Sequence, residues 1–181
     1  MKKKKRAWHV TTALHNSRYS QRMFDNHVKP GAVIRLEEKD EILITGVVAD
    51  IVKEDNLNVI EYNMCGDHMH LLIVCEKEEL SKIVGKIKSM TARACNIAMG
   101  RTMGQAPLSE EVPSSGRGKT QTKLWTQKFG KSEIRDERYL NNAITYIRNN
   151  RIKHHLPRSE RMEQIKKEFL CTKKHAFRTE Y

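Results

Sequence analysis

The chain has 181 residues, of which 34 are Lys or Arg, 22 are Asp or Glu, and 38% are hydrophobic. This length fits one domain with small additions, and the hydrophobic fraction is enough for a compact core. No apolar run approaches the roughly 20 residues of a membrane helix, so a membrane-spanning protein is not expected.

The start of the chain and the cysteines indicate a compartment. The basic first residues are followed by no apolar stretch, which argues against a secretory signal. The cysteines show no short paired spacing and do not resemble a disulfide framework; they are Cys65, Cys75, Cys95 and Cys171. We therefore expect a protein of the reducing cytoplasm, associated with the nucleoid.

The charge is distributed unevenly along the chain. Residues 1–35 have a net charge of +8, residues 36–79 of −9 and residues 80–181 of +13. A solvated surface without a charged partner would mix the signs, whereas here two basic segments flank an acidic one. This pattern favours binding of a polyanion, with nucleic acid the first candidate.

Hydrophobic periodicity predicts alternating strands and helices. In chain order, these are a strand at 8–14, a helix at 40–55 capped by Asp40, strands at 58–64 and 68–74, a helix at 80–97, a strand or short hairpin around Gly130, a helix at 136–150 and a helix capped by Ser159. The order β-α-β-β-α-β predicts an α+β fold of the ferredoxin-like (split βαβ) type, with an antiparallel sheet and helices on one face.

We divide the chain into a basic tail at 1–6, a main domain at 7–156 and a basic helical extension at 157–181. Within the main domain, residues 100–123 are rich in Gly, Pro, Ser and Lys. Such a composition cannot bury enough apolar surface to offset the entropy of ordering, which predicts a mobile insert.

Two histidines begin the third predicted strand. In a strand, His68 and His70 point to the same face and Met69 points to the other, about 7 Å separating the pair along the strand. Neutral imidazole is a common ligand of divalent metals. Taken alone, the pattern also fits two histidines at a polar strand end.

A second group of polar residues lies on the helix at 136–150. Tyr146 and Asn150 are four residues apart and share one helical face, off the inward face set by Ile144 and Ile147. Beside a metal held by His68 and His70, they would supply a nucleophile and a third oxygen ligand. Taken alone, Tyr146 also fits a tyrosine at the edge of the core.

At these residues the sequence resembles a known family. The segment Cys65-Gly66-Asp67-His68-Met69-His70 resembles the His-hydrophobic-His motif of the HUH superfamily. The segments 124–129 and Tyr146-Ile147-Arg148-Asn149-Asn150 resemble the tyrosine helix of its single-tyrosine transposases, and the REP-associated tyrosine transposases of the IS200-like family are the most similar. The resemblance covers residues 7–156 and supports the ferredoxin-like fold with a tyrosine-bearing helix.

The resemblance implies cleavage and rejoining of single-stranded DNA that carries a hairpin. Tyr146 would attack a backbone phosphorus and form a 5′-phosphotyrosine intermediate, with no nucleotide cofactor. Mg²⁺ or Mn²⁺ on His68, His70 and Asn150 would polarise the phosphate. Since two imidazoles soften the site, Mn²⁺ should bind more tightly than Mg²⁺. A homodimer is favoured over a monomer.

The sequence departs from the family pattern in two places. Gly66-Asp67 replaces Pro-Asn before the first histidine. Three roles are open for Asp67: a metal ligand, a residue that orients a ligand, or a turn residue. Arg151 replaces a proline after Asn150, which lets the helix run further. A structural zinc ion bound by Cys65 and the histidines is an alternative to Mg²⁺ or Mn²⁺.

Phosphate contacts are assigned to the basic segments, because such contacts give affinity rather than sequence preference. The predicted DNA-binding residues are Lys2, Lys3, Lys4, Lys5, Arg6, Arg117, Lys119, Lys123, Arg148, Arg151 and Lys153, and the basic extension adds Lys166, Lys167, Lys173 and Lys174. For Trp8 and Trp125 a place in the core is favoured over stacking on a base.

Three other functions remain open on the sequence. An RNA-recognition domain would share the fold, but it reads bases with exposed sheet aromatics, and only 6% of this chain is aromatic. A rolling-circle replication initiator or relaxase would share the histidine motif, but the short chain and the late tyrosine favour a transposase. An inactive or domesticated relative would bind DNA without moving it.

Overall fold

The computed structural model describes residues 4–17, 21–27, 34–100 and 123–170. Within these ranges the elements are β1 Arg6–Ala13, α1 Gln21–Asp25, α2 Glu38–Glu54, β2 Asn58–Cys65, β3 His68–Cys75, α3 Lys77–Ala98, β4 Gly130–Glu133, α4 Glu137–Lys153 and α5 Glu160–Phe169. The short α1 was not predicted. The predicted mobile insert lies, except for its two end residues, outside the described residues. No helix in the described ranges is long and apolar enough to cross a membrane.

The described strands form one antiparallel sheet. Its strand order is β2-β3-β1-β4, with β1 paired to β3 and β4 and with β2 paired to β3. The helices α2 and α3 connect β1 to β2 and β3 to β4, respectively. This is the ferredoxin-like arrangement, and the predicted fold class is confirmed.

The sheet has a different covering on each face. Since side chains alternate along a strand, Val10, Leu71 and Ile73 pack with α2 and α3 in the main core, and all three are fully buried. On the opposite face, Leu72 packs against Ile147 of α4 in a smaller cluster. The tyrosine-bearing helix therefore covers the sheet face that the connecting helices leave open.

The last described helix belongs to the main core. Met162, Ile165 and Phe169 of α5 are buried in it, and the Phe169 ring meets the edge of the Tyr62 ring at 5.7 Å between centroids. The part of the predicted extension that the structure describes is thus integral to the fold rather than appended to it.

The helix starts show local capping. Asp136 and Ser159 accept hydrogen bonds from the backbone N–H groups of Tyr139 and Met162, as N-cap residues do. Asp40 caps α2 differently from the prediction: it lies in the first turn, where its carboxylate accepts from the N–H of Glu37, the N-cap residue. This reciprocal arrangement is a capping box.

The segment at 123–129, which precedes β4, is fastened to α3. Trp125 is buried, as predicted, and its indole N–H donates to Oγ1 of Thr91 at 2.8 Å. The ammonium of Lys88 donates to the backbone carbonyls of Thr126 and Gln127 at 2.6 and 3.0 Å, and burial lowers the pKa of this lysine. Apart from one isolated bridge between Trp125 and Leu14, residues 123–129 form no strand.

The indole contact generates a paired stability prediction. Replacing Thr91 with Val leaves the buried N–H of Trp125 without its acceptor and should cost about 1–3 kcal/mol of unfolding free energy. Thr12 is the matched control, because its buried hydroxyl has no hydrogen-bond partner in the described structure. Thr12→Val should leave stability unchanged or raise it. Urea denaturation of both variants measures the difference, and equal destabilisation by the two would contradict the assignment.

Candidate active site

The strand β3 places two buried imidazoles under α4. His68 and His70 alternate with Met69, so they share the face that α4 covers, and their side chains are 1% and 3% exposed. Their rings are nearly perpendicular, with centroids 4.8 Å apart. The structure thus places both histidines on one face of the sheet, as predicted.

Asn150 of α4 bridges the two imidazoles. Its side-chain oxygen lies 3.0 Å from Nε2 of His68, and its side-chain nitrogen lies 3.1 Å from Nε2 of His70. Asn150 is fully buried, although the sequence pattern placed it off the inward face. The structure thus brings together all three residues that were predicted as metal ligands.

The other ring nitrogen of each histidine is held by a neighbour. Nδ1 of His68 lies 2.6 Å from a carboxylate oxygen of Asp67, a contact that supports the alternative in which Asp67 orients a ligand. Nδ1 of His70 lies 3.0 Å from Nε2 of His9 and 3.1 Å from Oγ1 of Thr11. Such outer contacts set the orientation of an imidazole and leave Nε2 for a ligand.

His9 and Thr11 were missed by the sequence analysis. They lie on β1, opposite His70, because Thr11 pairs with His70 in the β1–β3 register. Burial lowers the pKa of His9, which disfavours its charged form. The sequence offered only their alternation in the first predicted strand. This alternation places both residues on one face of the sheet, but it does not predict their contacts with His70.

Tyr146 stands beside these histidines on the exposed side of α4. Its side chain is 42% exposed, and its ring meets the edge of the His70 ring at 5.3 Å between centroids and that of His9 at 6.0 Å. The ammonium of Lys153 lies 5.2 Å from the centre of the Tyr146 ring. The predicted nucleophile therefore adjoins the histidines of its own chain.

An open groove of about 1000 Å³ leads to this tyrosine. Its floor consists of β1 residues that face α4, and its wall is the segment fastened to α3. Six of its lining residues are His9, Thr11, His70, Gln127, Lys128 and Tyr146. His70 of the buried pair thus lines a solvent-connected groove next to the phenol.

The donor set fits a divalent cation. Both ring nitrogens of His68 face oxygen atoms, one of Asp67 and one of Asn150. Two imidazoles and one amide oxygen suit a metal such as Mn²⁺ or Mg²⁺ with further positions open to phosphate oxygens. The described residues contain no group of three or more His, Cys, Asp or Glu that fits a metal ion, so the third ligand would be the amide.

The zinc alternative would add the thiol of Cys65 to the two histidines. Cys65 does lie at the site, with its Sγ 3.4 Å from the side-chain oxygen of Asn150. However, burial raises the pKa of this thiol to about 12, which opposes the thiolate that zinc requires.

Arg151 requires a correction. Its guanidinium was predicted to bind phosphate, but the side chain is only 8% exposed and donates to Glu41 at 2.8 Å and to the backbone carbonyls of Met64 and Pro157. The other oxygen of Glu41 accepts from the N–H of Gly66 in the β2–β3 turn. Arg151 is therefore a buried link between α4, α2 and the turn before His68. The helix does run beyond it, to Lys153, as predicted.

The remaining predicted DNA contacts are dispersed. Lys153 lies at the tyrosine, whereas Arg148 lies elsewhere on α4, where its Nε donates to Glu61 at 2.5 Å. Arg6 begins β1, five residues or about 17 Å from Thr11 at the site, and pairs with Glu133. Lys4, Lys5, Lys123 and Lys167 are exposed. Lys166, contrary to the prediction, is buried and pairs with Glu163. The others lie outside the described residues: Lys2, Lys3, Arg117, Lys119, Lys173 and Lys174.

Because the ion pair between Arg151 and Glu41 is buried, breaking it should cost much more unfolding free energy than breaking an exposed ion pair. Glu41→Gln leaves the guanidinium of Arg151 without a counter-charge and should cost about 3–5 kcal/mol of unfolding free energy. Adding Arg151→Leu should recover part of this loss. The control is Lys53→Gln, which breaks an exposed pair with Glu168 and should cost about 1 kcal/mol or less. Denaturant titration measures all three, and equal costs for the two single variants would refute the structural role.

Comparison with known proteins places this site in a family. The family model described as "Transposase IS200 like" matches residues 32–150, well over half of the chain. A solved structure of a REP-associated tyrosine transposase bound to a REP hairpin has a TM-score of 0.52 at 16% identity, over 85% of this chain and 72% of that chain. A candidate transposase from Deinococcus radiodurans R1 has a TM-score of 0.43 at 14% identity, over 81% and 91% of the respective chains.

Among curated proteins, none matches the sequence. The likeness to the REP-associated transposase structure supports the fold, whereas the family match extends over both histidines of β3 and over Tyr146 and Asn150 of α4. The chain belongs to the family of IS200-like transposases.

Proposed function

We propose that this transposase cleaves and rejoins single-stranded DNA through a covalent bond to Tyr146. One observation carries the proposal: the amide of Asn150 meets Nε2 of both His68 and His70, and the same helix holds the Tyr146 ring against His70. A nucleophile next to a cluster of metal-ligand donors, in an open groove, is the arrangement that phosphoryl transfer needs.

The reaction exchanges one phosphate ester for another. The phenol oxygen of Tyr146 forms a bond to phosphorus and releases its proton, while the bond from phosphorus to the 3′ oxygen breaks. The leaving oxygen takes up a proton and becomes a 3′ hydroxyl, and the 5′ phosphate stays on the tyrosine. Attack by a second 3′ hydroxyl reverses these changes and joins that strand to the phosphate. The ester is conserved, so no nucleotide cofactor is required.

Three side chains near the tyrosine support this chemistry. Lys153 brings positive charge to the phenol ring, where it attracts a backbone phosphate. The groove exposes Lys128 and Gln127, which offer further donors to the strand. Asp67, His9 and Thr11 act through the histidines, by fixing the direction of their Nε2 atoms.

His68, His70 and Asn150 would hold Mg²⁺ or Mn²⁺. When bound, such an ion polarises the scissile phosphate and stabilises negative charge on the leaving oxygen. The chain itself positions the phenol and the phosphate.

The expected substrate is a single strand that carries a hairpin. The related REP-associated transposase is bound to a REP hairpin, and the net charge of +12 suits a polyanion. The nearness of Tyr146 to the histidines of its own chain supports attack within one subunit. The homodimer stays a prediction from the family resemblance.

The rival functions differ in what they would need. An RNA-recognition domain reads bases on an open sheet face, but here α4 packs on that face through Ile147. A replication initiator or relaxase would use the same chemistry on a different DNA, which the choice of substrate tests. A binding protein without activity would form no covalent adduct.

The nucleophile predicts a covalent adduct that depends on one hydroxyl. Incubated with a hairpin-containing single strand and Mn²⁺, the protein should form an adduct that survives denaturing electrophoresis. A 3′ label should remain on the protein, and a 5′ label should leave on the fragment with the free 3′ hydroxyl. Tyr146→Phe should abolish the adduct, because the attacking oxygen is gone.

Tyr139→Phe is the matched control for this experiment, because Tyr139 is also on α4 and is 40% exposed, close to the 42% of Tyr146. This variant should form the adduct as the wild-type protein does. An adduct that persists in Tyr146→Phe, or one that retains the 5′ label, would refute the mechanism.

The donor set predicts metal binding that can be measured without DNA. In the Tyr146→Phe protein, Mn²⁺ titration followed by electron paramagnetic resonance should give one site that His70→Ala and Asn150→Ala both weaken. Since the site should bind Mn²⁺ more tightly than Mg²⁺, displacing the bound Mn²⁺ should require an excess of Mg²⁺. His155→Asn is the control, since His155 is exposed and has a positive φ that Asn tolerates. Unchanged Mn²⁺ affinity in both site variants would rule out this ligand set.

A further inference from the structure

A second concavity lies on the other flank of α4, facing away from the tyrosine. It has a volume of about 440 Å³ and lies between β2, the carboxyl end of α4 and α5. Six of its lining residues are Glu61, Arg148, Ile152, Leu156, Arg158 and Lys167. This volume is within the range of small-ligand sites. We call it the α4–α5 cavity.

The geometry of one helix relates this cavity to the groove. Arg148 and Ile152 are four residues apart and share a flank, whereas Tyr146 lies two residues before Arg148 and therefore about 200° around the helix axis. The groove and the α4–α5 cavity are thus on opposite sides of a single helix. A strand cleaved at Tyr146 reaches the cavity by crossing α4.

The floor of the α4–α5 cavity is electrically balanced. Glu61 is 1% exposed and accepts from Nε of Arg148 at 2.5 Å, while the ammonium of Lys166 lies 3.9 Å from its other oxygen. Lys166 also pairs with Glu163 at 2.8 Å. The two carboxylates and two cations of the floor therefore neutralise one another.

The rim carries the excess charge. Arg158 and Lys167 are exposed, and neither forms an ion pair within the described part of the chain. Arg148 is still 65% exposed beyond its contact with Glu61. Two unneutralised cations beside a partly free guanidinium favour an anion at the mouth of the α4–α5 cavity.

The wall of the α4–α5 cavity is apolar. Ile152 is 73% exposed, the most of any large hydrophobic side chain in the described ranges, and Leu156 is half-buried beside it. Because Ile152 and Leu156 lie beside Arg158 and Lys167 in the same cavity, a ligand held by these cations would also cover apolar surface. The ligand that suits both features has an anionic group and a flat apolar body, as a nucleotide has.

We propose that the α4–α5 cavity binds one nucleotide of the DNA strand outside the cleavage site. Its phosphodiester lies on Arg158 and Lys167, and its sugar and base cover Ile152 and Leu156. This subsite rests on the proposed function for the identity of the strand. It adds a second point of attachment that positions the strand relative to Tyr146.

The phosphate part is tested by the salt dependence of binding. In the Tyr146→Phe background, fluorescence anisotropy measures the affinity for a labelled hairpin-containing single strand at several KCl concentrations. Arg158→Gln with Lys167→Gln should reduce the slope of log K against log salt by about 1.4, since each single-strand phosphate contact contributes about 0.7. The affinity at 0.1 M salt should fall about 25-fold by the same relation.

The control is Lys77→Gln with Lys82→Gln. Both lysines are exposed on α3 and are not among the residues that line the α4–α5 cavity, and their replacement removes the same net charge. This control should retain the wild-type slope. Equal slopes for the rim variant and the wild type would overturn the proposal, and so would an equal decrease in rim variant and control.

The base part is tested with abasic nucleotides placed one at a time along the same strand. One position outside the cleavage site should weaken binding to the Tyr146→Phe protein, and Ile152→Ser should remove that sensitivity. Because Ile152 is exposed, its replacement leaves the core intact. If no position depends on Ile152, the cavity holds at most a phosphate and the nucleotide subsite is refuted.

These outcomes are separate from the failure of the proposed function. Absence of the Tyr146 adduct would refute catalysis while the binding slopes still report on the α4–α5 cavity. Equal slopes would refute the cavity while adduct formation stands.

Discussion

The buried guanidinium of Arg151 is the contact on which the geometry of the site depends. It ties the end of α4 to Glu41 of α2 and to the backbone of Met64 and Pro157, and Glu41 in turn holds the turn before His68 through Gly66. A charge that is only 8% exposed has few alternatives to these partners, because releasing any of them leaves a desolvated group unpaired. The neighbouring residue, Asn150, is consequently fixed in depth over β3. The buried amide and the exposed phenol are thus set by the same anchor.

The two faces of the sheet have separate tasks. The face with α2, α3 and α5 contains most of the apolar core, and the face under α4 mixes a small apolar cluster with the histidines and Asn150. Polar side chains on this second face are buried without loss because nearly all have partners, as Asn63 does when it donates to the carbonyl of Ile147 at 2.6 Å. The segment held by Lys88 and Trp125 then closes one side of the groove. Stability and chemistry are therefore supported by different residues of the same strands.

Much of this arrangement follows from local patterns. Alternation in β3 placed His68 and His70 on one face, and the turn signals and periodicities placed the main strands and helices, because these depend on residues close in sequence. The environments of Asn150 and Arg151 depend on how deeply α4 sits on the sheet, which helical periodicity does not determine. An exposed arginine and a buried one have the same sequence pattern until Glu41, distant in the chain, is brought to it. The contact between His9 and His70 likewise requires the register of two strands that are 61 residues apart.

The anchoring of α4 has a consequence for how strands are exchanged. The helix α4 is held at its end by a buried ion pair and along its length by Ile147 and Asn150. These contacts fix the phenol of Tyr146 in one position beside the histidines. If the DNA strand is cleaved and rejoined at this one position, the tyrosine does not move between the two strands that it joins. For the reaction proposed here, the departing 3′ end has to give up its place and the incoming one has to take it. The DNA ends therefore move, while the protein surface around Tyr146 stays in place.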